Sequence, residues 1–242
     1  MDYEQNVQDE LMAWKMKMRR RTGIINKISK KTQTKINSFI PEKVHQVVTE
    51  GIKRMVKATL TGSNLTTNKK RDEGLSLYER DELVRQKLSS YRRSAVIEGA
   101  GTGAGGFLLG LADFPLLLSL KMKFLFEAAV IYGYDTNQYE ERLFILHIFQ
   151  LAFSSDDKRK DVFEIIEHWK EYKQQVVDMD WREFQQEYRD YIDLVKMFQL
   201  IPGFGAVVGA FANYNLLDQL GETAMNVYRM RFLEDGTEGR EL

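Results

Sequence analysis

The chain has 242 residues, with 35 basic and 35 acidic side chains, 43% hydrophobic residues, three prolines and no cysteine. Zero net charge excludes a generally polybasic nucleic-acid binder and a polyacidic solvating tail, and the apolar share excludes disorder along most of the length. The lack of cysteine excludes a disulfide framework, thiolate zinc sites and cysteine nucleophiles, and it suits a reducing interior.

The neutrality joins two unlike halves. Residues 1–95 carry 21 Lys and Arg against 11 Asp and Glu, while residues 96–242 carry 14 against 24. The opening MDYEQNVQDELMAWKMKMRR places acids first and bases last with no apolar run between them, so a secretory leader is not expected there. Val7, Leu11, Trp14 and Met18 recur at helical spacing, and Lys15, Lys17, Arg19, Arg20 and Arg21 occupy the remaining faces. The short Ile24, Ile25, Ile28 segment follows. Pro41 then suits a first helical turn and opens a stripe of Val44, Val47, Val48, Ile52, Met55 and Val56. Residues 61–75 are polar and punctuated by glycine, which predicts an exposed loop.

Ser76 with Glu79 three residues later has the capping-box spacing, in which each side chain satisfies a free amide of the first turn. A charged amphipathic helix runs from there into a glycine-rich stretch. Gly133 predicts a helix end, and Asp135 with Gln138 and Asp180 with Glu183 predict two further starts. Helices are expected near 137–153, 157–176 and 181–199, and the tail EDGTEGREL is expected to fray. Strand alternation is missing throughout, so the fold class is all-α. The boundaries read as a basic amphipathic segment at 1–40, a helical domain at 41–233 and a tail at 234–242.

Two apolar segments are unusually rich in glycine: EGAGTGAGGFLLGLADFPLLLSL at 98–120 and LIPGFGAVVGAFANYNLLDQLG at 200–221. Each helical glycine costs about 1 kcal/mol against alanine, so a compensating gain is required. Small residues four apart, as at Gly106 and Gly110 or Gly205 and Gly209, let two helix backbones approach closely. With Gly99, Gly101 and Gly103 they predict that the two segments pack together. Gly101, Gly103 and Gly106 also match a dinucleotide-binding spacing, but the upstream residues read as helix and no further strands follow, so no cofactor is expected. The uncharged runs fall short of the roughly twenty apolar residues of a full membrane span and are interrupted by Asp113 and Asn213. A buried helical hairpin, or one dipping partly into a bilayer, fits both segments better.

Several blocks in order carry a family resemblance: IPEKVHQVVTEGIKRMVKATLTGS at 40–63, the glycine-rich block at 98–120, EAAVIYGYD at 127–135 and IPGFGAVVGAFANYNLLDQLGETAMNVYRMR at 201–231. Together they make the chain resemble the EcsC family, bacterial proteins named for a gene that accompanies an ABC transporter. The resemblance implies a cytoplasmic helical domain on the inner face of the membrane, linked to a transporter of the Ecs type that affects secretion. It implies no established reaction and no catalytic residues.

Candidate sites follow from the residues themselves. Asp113 in LADFP reads as the N-cap of a helix starting at Pro115, or else as a functional carboxylate with Glu98 and Asn213 beside it. His45, His147 and His168 have no metal-ligand spacing, so no metal is expected, and G-x-S-x-G, P-loop and H-E-x-x-H patterns do not occur. The amino-terminal helix has two readings. In one it is an interfacial anchor, with Leu11, Trp14 and Met18 at the acyl boundary and Lys15, Lys17, Arg19, Arg20 and Arg21 on anionic headgroups. In the other the same stripe packs on the core. The leading expectation is a non-enzymatic protein peripheral on the membrane and accessory to an ABC transporter, with no nucleic-acid partner. A hydrolase using Glu98 and Asp113, or a soluble adaptor without lipid affinity, are the competing expectations.

Overall fold

The computed structural model describes residues 3–20, 42–62, 74–102, 107–155, 158–178, 188, 192 and 209–238, without the side chains of 42–45, 94–113, 209–215 and 237–238. Among the described residues the chain is all-α, with eight helices and no strand: α1 (Tyr3–Arg19), α2 (Glu42–Thr61), α3 (Leu77–Thr102), α4 (Phe107–Tyr132), α5 (Tyr139–Phe153), α6 (Arg159–Glu167), α7 (Trp169–Asp178) and α8 (Gly209–Glu238). An isolated antiparallel bridge joins Ser154 to Ile192.

The layout follows from which helices are apolar all round. Every residue of α5 from Leu143 to Phe153 is buried, so this helix forms the centre, contacted by α2, α4, α6, α7 and α8. The long α8 packs most extensively on α3 and also touches α1, α4 and α5, while α4 lies against α2 and α3. Helix α1 lies across α3, α6 and α8.

Local chemistry explains the boundaries. The Ser76 amide donates to Glu79 Oε2 at 2.8 Å and the Glu79 amide donates to Ser76 Oγ at 3.4 Å, which is the expected capping box at the head of α3. Gly133 ends α4 with φ of 97°, a conformation that side chains disfavour; its amide donates to the Val130 carbonyl and that of Tyr134 to the Ala129 carbonyl.

Other boundaries differ from the sequence reading. Asp135 does not cap α5: its Oδ1 accepts from the Asn137 amide at 3.1 Å, and Gln138 occupies the N-cap without a side-chain bond. The helix expected at 157–176 is broken at His168, where φ is −109° and ψ is 36°. Helix α4 runs through Pro115, so Asp113 lies inside a helix and does not cap one starting at the proline. The proline is on the exposed side, where water can satisfy the carbonyl deprived of its donor, while Phe114, Leu117 and Leu118 are buried and hold the turn in register. Helix α8 continues to Glu238, so 234–238 is helical where fraying was expected. The helix expected at 181–199 lies outside the described residues apart from Tyr188 and Ile192.

Close helix approach occurs at two further glycines. A Cβ on Gly51 of α2 would lie 2.8 Å from Phe114 Cε1 of α4, and one on Gly221 of α8 would lie 2.5 Å from Leu88 Cδ2 of α3. No helix among the described residues is long and apolar enough to cross a membrane.

Candidate functional site

Helix α1 turns its apolar stripe inward. Val7, Leu11, Trp14 and Met18 are all buried, and the Trp14 ring meets Phe163 of α6 edge-on at 5.4 Å. This corrects the anchor reading, because Leu11, Trp14 and Met18 cannot sit at an acyl boundary while they fill the core. What the helix presents outward is different: Met12 and Met16, one turn apart, are 64% and 55% exposed, and Arg19 and Arg20 are exposed beside them. Arg21 lies outside the described residues.

The basic residues of α1 meet acids of the helices beneath. Glu167, at the end of α6, holds both Lys15 at 3.3 Å and Arg19 at 2.5 Å, and Lys17 lies 3.5 Å from Glu222 of α8. Burial pushes the Glu167 carboxyl up, but the Arg19 hydrogen bond and the Lys15 charge outweigh it and hold the group below its usual value. The Lys17 pair is largely exposed, and such pairs contribute about 0–1 kcal/mol.

A cleft of about 670 Å³ separates α1 from α3 and α8, lined among others by Trp14, Lys17, Arg85, Arg92, Asp218 and Arg229. Beside it lies the most deeply buried charge pair among the described residues. Arg229 Nε donates to Asp81 Oδ2 at 2.8 Å, and Asp81 has no exposed surface. Tyr3 donates to the same carboxylate at 2.5 Å, and the Tyr132 hydroxyl donates to its other oxygen. Burial and the Asp81 charge push the Tyr132 phenol far up, so it stays a proton donor. Arg229 Nη1 also reaches Glu10 of α1 at 2.9 Å. With its oxygens occupied by three fixed donors and shielded from solvent, Asp81 is a structural anchor and not a general base.

A second buried cluster lies on the other side of α8. Arg231 donates to Glu141 at 2.7 Å, Tyr228 donates to the same carboxylate at 3.0 Å, and the guanidinium stacks 3.9 Å over Tyr134 and 4.4 Å over Phe144. Burial pushes Glu141 up despite the Arg231 charge. His147 is buried in α5 with Nδ1 2.8 Å from the Leu143 carbonyl, and burial pushes its imidazole down to about 4. No group of three or more His, Asp or Glu among the described residues is arranged to hold a metal.

The residues expected to form a polar site are distributed over three helices: Glu98 in α3, Asp113 in α4 and Asn213 in α8. Their side chains lie outside what is described, and so does the proposed trio. Gly99 and Gly101 belong to α3, Gly110 to α4 and Gly209 starts α8, whereas Gly103, Gly106 and Gly205 lie outside the described residues. Helices α4 and α8 contact each other, while the packing expected between 98–120 and 200–221 falls largely outside the described residues.

Sequence reasoning missed Asp81, Arg229 and Glu167. A signal for Asp81 was present, since it falls four after Leu77, three before Val84 and seven before Leu88, a carboxylate on the apolar stripe of its own helix. Gly51 could have been found the same way, three after Val48 and four before Met55.

The profile of the EcsC protein family matches residues 5–233. Protein EcsC of Bacillus subtilis (strain 168) is 54% identical over 231 residues, spanning 96% of this chain and 97% of that protein. The uncharacterized protein YdbA of the same strain is 34% identical over 155 residues, spanning 62% of this chain and 57% of its own length. No solved structure matches the chain. With the family profile covering nearly the whole chain and a full-length relative at this identity, the chain belongs to the EcsC family.

Proposed function

We propose that the protein works at the inner face of the cell membrane as a peripheral, non-catalytic accessory of an ABC transporter of the Ecs type. The observation that carries the membrane part is one of charge. Residues 11–41 hold nine Lys and Arg and no Asp or Glu, and the start of this segment presents Met12 and Met16 outward on α1, with Arg20 exposed just beyond its end. Near-surface bases contribute about 1 kcal/mol each toward anionic lipid, and the two exposed methionines add shallow apolar contact. The transporter part rests on family membership. The buried carboxylates Asp81 and Glu141 are taken up by arginine and tyrosine partners, which favours a scaffold over a hydrolytic site at those positions.

Co-sedimentation with vesicles tests the membrane part. The protein is expected to pellet with phosphatidylglycerol vesicles at low ionic strength and to be released by high salt, because a Debye length of about 10 Å at 0.1 M screens surface charge. Equal recovery in the supernatant with phosphatidylglycerol and with phosphatidylcholine overturns it. Crosslinking in native membranes, followed by identification of the captured subunits, tests the transporter part.

A further inference from the structure

We infer that the cleft between α1, α3 and α8 is a binding site for a small organic acid, a single carboxylate carried on a compact apolar body. Its volume of about 670 Å³ lies within the span of clefts that hold small ligands, about 300–1,000 Å³. The inference stands apart from the membrane reading, because it asks for a soluble ligand and leaves α1 docked.

The chemistry of the ligand follows from which polar groups are already engaged. Three carboxylates line the cleft and each faces a base: Glu222 faces Lys17 at 3.5 Å, Asp218 pairs with Arg92, and Glu10 meets Arg229 at 2.9 Å. Asp81, beneath, is taken up by Arg229, Tyr3 and Tyr132. The acceptors are therefore occupied, and the spare capacity is in donors. Arg85 lines the cleft half-exposed, and its contacts are long: Glu82, an exposed acid outside the lining, lies 3.6 Å away, and the Tyr3 hydroxyl accepts at 3.4 Å. A ligand carboxylate that replaces Glu82 gives up little, since exposed pairs of this kind contribute little.

A second donor is built in beside it. Asn226 lines the cleft at 8% exposure; its Oδ1 accepts from Arg229 at 3.4 Å, while among the described residues its amide nitrogen has no acceptor. Helices α3 and α8 run antiparallel, with Asp81 against Arg229, Leu88 against Gly221 and Arg92 against Asp218, and this register sets Arg85 beside Met225 and Asn226. The planar guanidinium fork matches a carboxylate with two parallel bonds, and the asparagine amide adds a third. Trp14, Leu88 and Met225 supply an apolar wall for the body of the ligand. With Asp81 included, four bases around the cleft meet four acids, so the field favours a singly charged head over a multiply charged one.

Titration calorimetry of the full-length chain with naphthylacetate tests the site. Naphthylethanol serves as the uncharged body of similar shape, and naphthyl phosphate as the more highly charged head. Naphthylacetate is expected to bind one-to-one, tighter than the phosphate and at least about tenfold tighter than the alcohol, the factor that a charged hydrogen bond supplies. Arg85→Gln is expected to abolish the margin over the alcohol. Arg93→Gln takes the same charge from an exposed position of α3 outside the cleft and is expected to keep it. Absence of binding, equal affinity for acid and alcohol, tighter binding of the phosphate, or equal losses in the two variants overturns the inference. Should Arg85→Gln fail to fold, the Asn226 side-chain amide resonance in the isotope-labelled unaltered protein reads the same contact. It is expected to move as naphthylacetate saturates the site, and an unmoved resonance at saturation overturns the assignment.

Discussion

The Arg229 guanidinium lies 2.8 Å from the Asp81 carboxylate, joining α8 to α3 across 148 positions of sequence at a point with no solvent exposure of the acid. Two charges withdrawn from water hold together because Tyr3 and Tyr132 complete the hydrogen bonding. Removing one partner strands the other. Asp81→Asn is therefore expected to destabilise the fold by about 3–5 kcal/mol, the range for breaking a buried pair, and Asp81→Leu with Arg229→Met to recover most of that loss. Urea denaturation read at constant m checks both.

Gly51 makes a steric prediction. An alanine there gains about 1 kcal/mol of helix propensity but drives its Cβ to 2.8 Å from a fully buried phenyl ring, and overpacking of this kind costs about 1–3 kcal/mol. The expected net effect of Gly51→Ala is a loss of about 1 kcal/mol. Phe114→Leu opens the space, so the double variant is expected to be more stable than the sum of the two single losses predicts.

His147 sets a pH dependence. Burial lowers its imidazole from 6.5 to about 4, so between those values the unfolded chain binds a proton that the native one refuses. Stability consequently rises with pH across that window and is lost on acidification, by about 3 kcal/mol at 1.36 kcal/mol per unit. His147→Met replaces the imidazole with an apolar side chain of similar size and is expected to flatten the profile between pH 6.5 and 4, with the difference from the unaltered protein read at pH 7 and pH 4.5.

Membrane binding carries a charge prediction. Lys30→Gln with Lys31→Gln removes two of the nine bases in residues 11–41. At about 1 kcal/mol each, vesicle affinity is expected to fall roughly 25-fold at low salt and much less at high salt. Equal affinity at low salt would show that this segment does not meet the lipid.

Much of the local structure was legible because it depends on neighbours in sequence. Ser76 and Glu79 form their box, Gly133 ends its helix, and the Leu11, Trp14, Met18 stripe occupies one face, all through steps of five residues or fewer. Features set by distant partners were not legible. No glycine or proline marks the break at His168, yet Trp169 is turned there onto Phe144 and His147 of α5, at ring distances of 5.1 and 5.5 Å. Pro115 likewise stays inside α4 because the flanking Phe114, Leu117 and Leu118 are anchored in the core. Asp135 is a local exception: placed by spacing as a helix cap, it closes a turn with Asn137 instead.

The sequence by itself determined the helical class, the family and the amphipathic character of α1. It could not determine where that helix puts its apolar face. A period of 3.6 residues specifies that Leu11, Trp14 and Met18 leave water together, but a protein core and an acyl layer are equally good destinations for them. Only the tertiary structure decided, by supplying Phe163 for the indole and Glu167 and Glu222 for the bases, partners drawn from helices about 150 and 200 residues further along the chain.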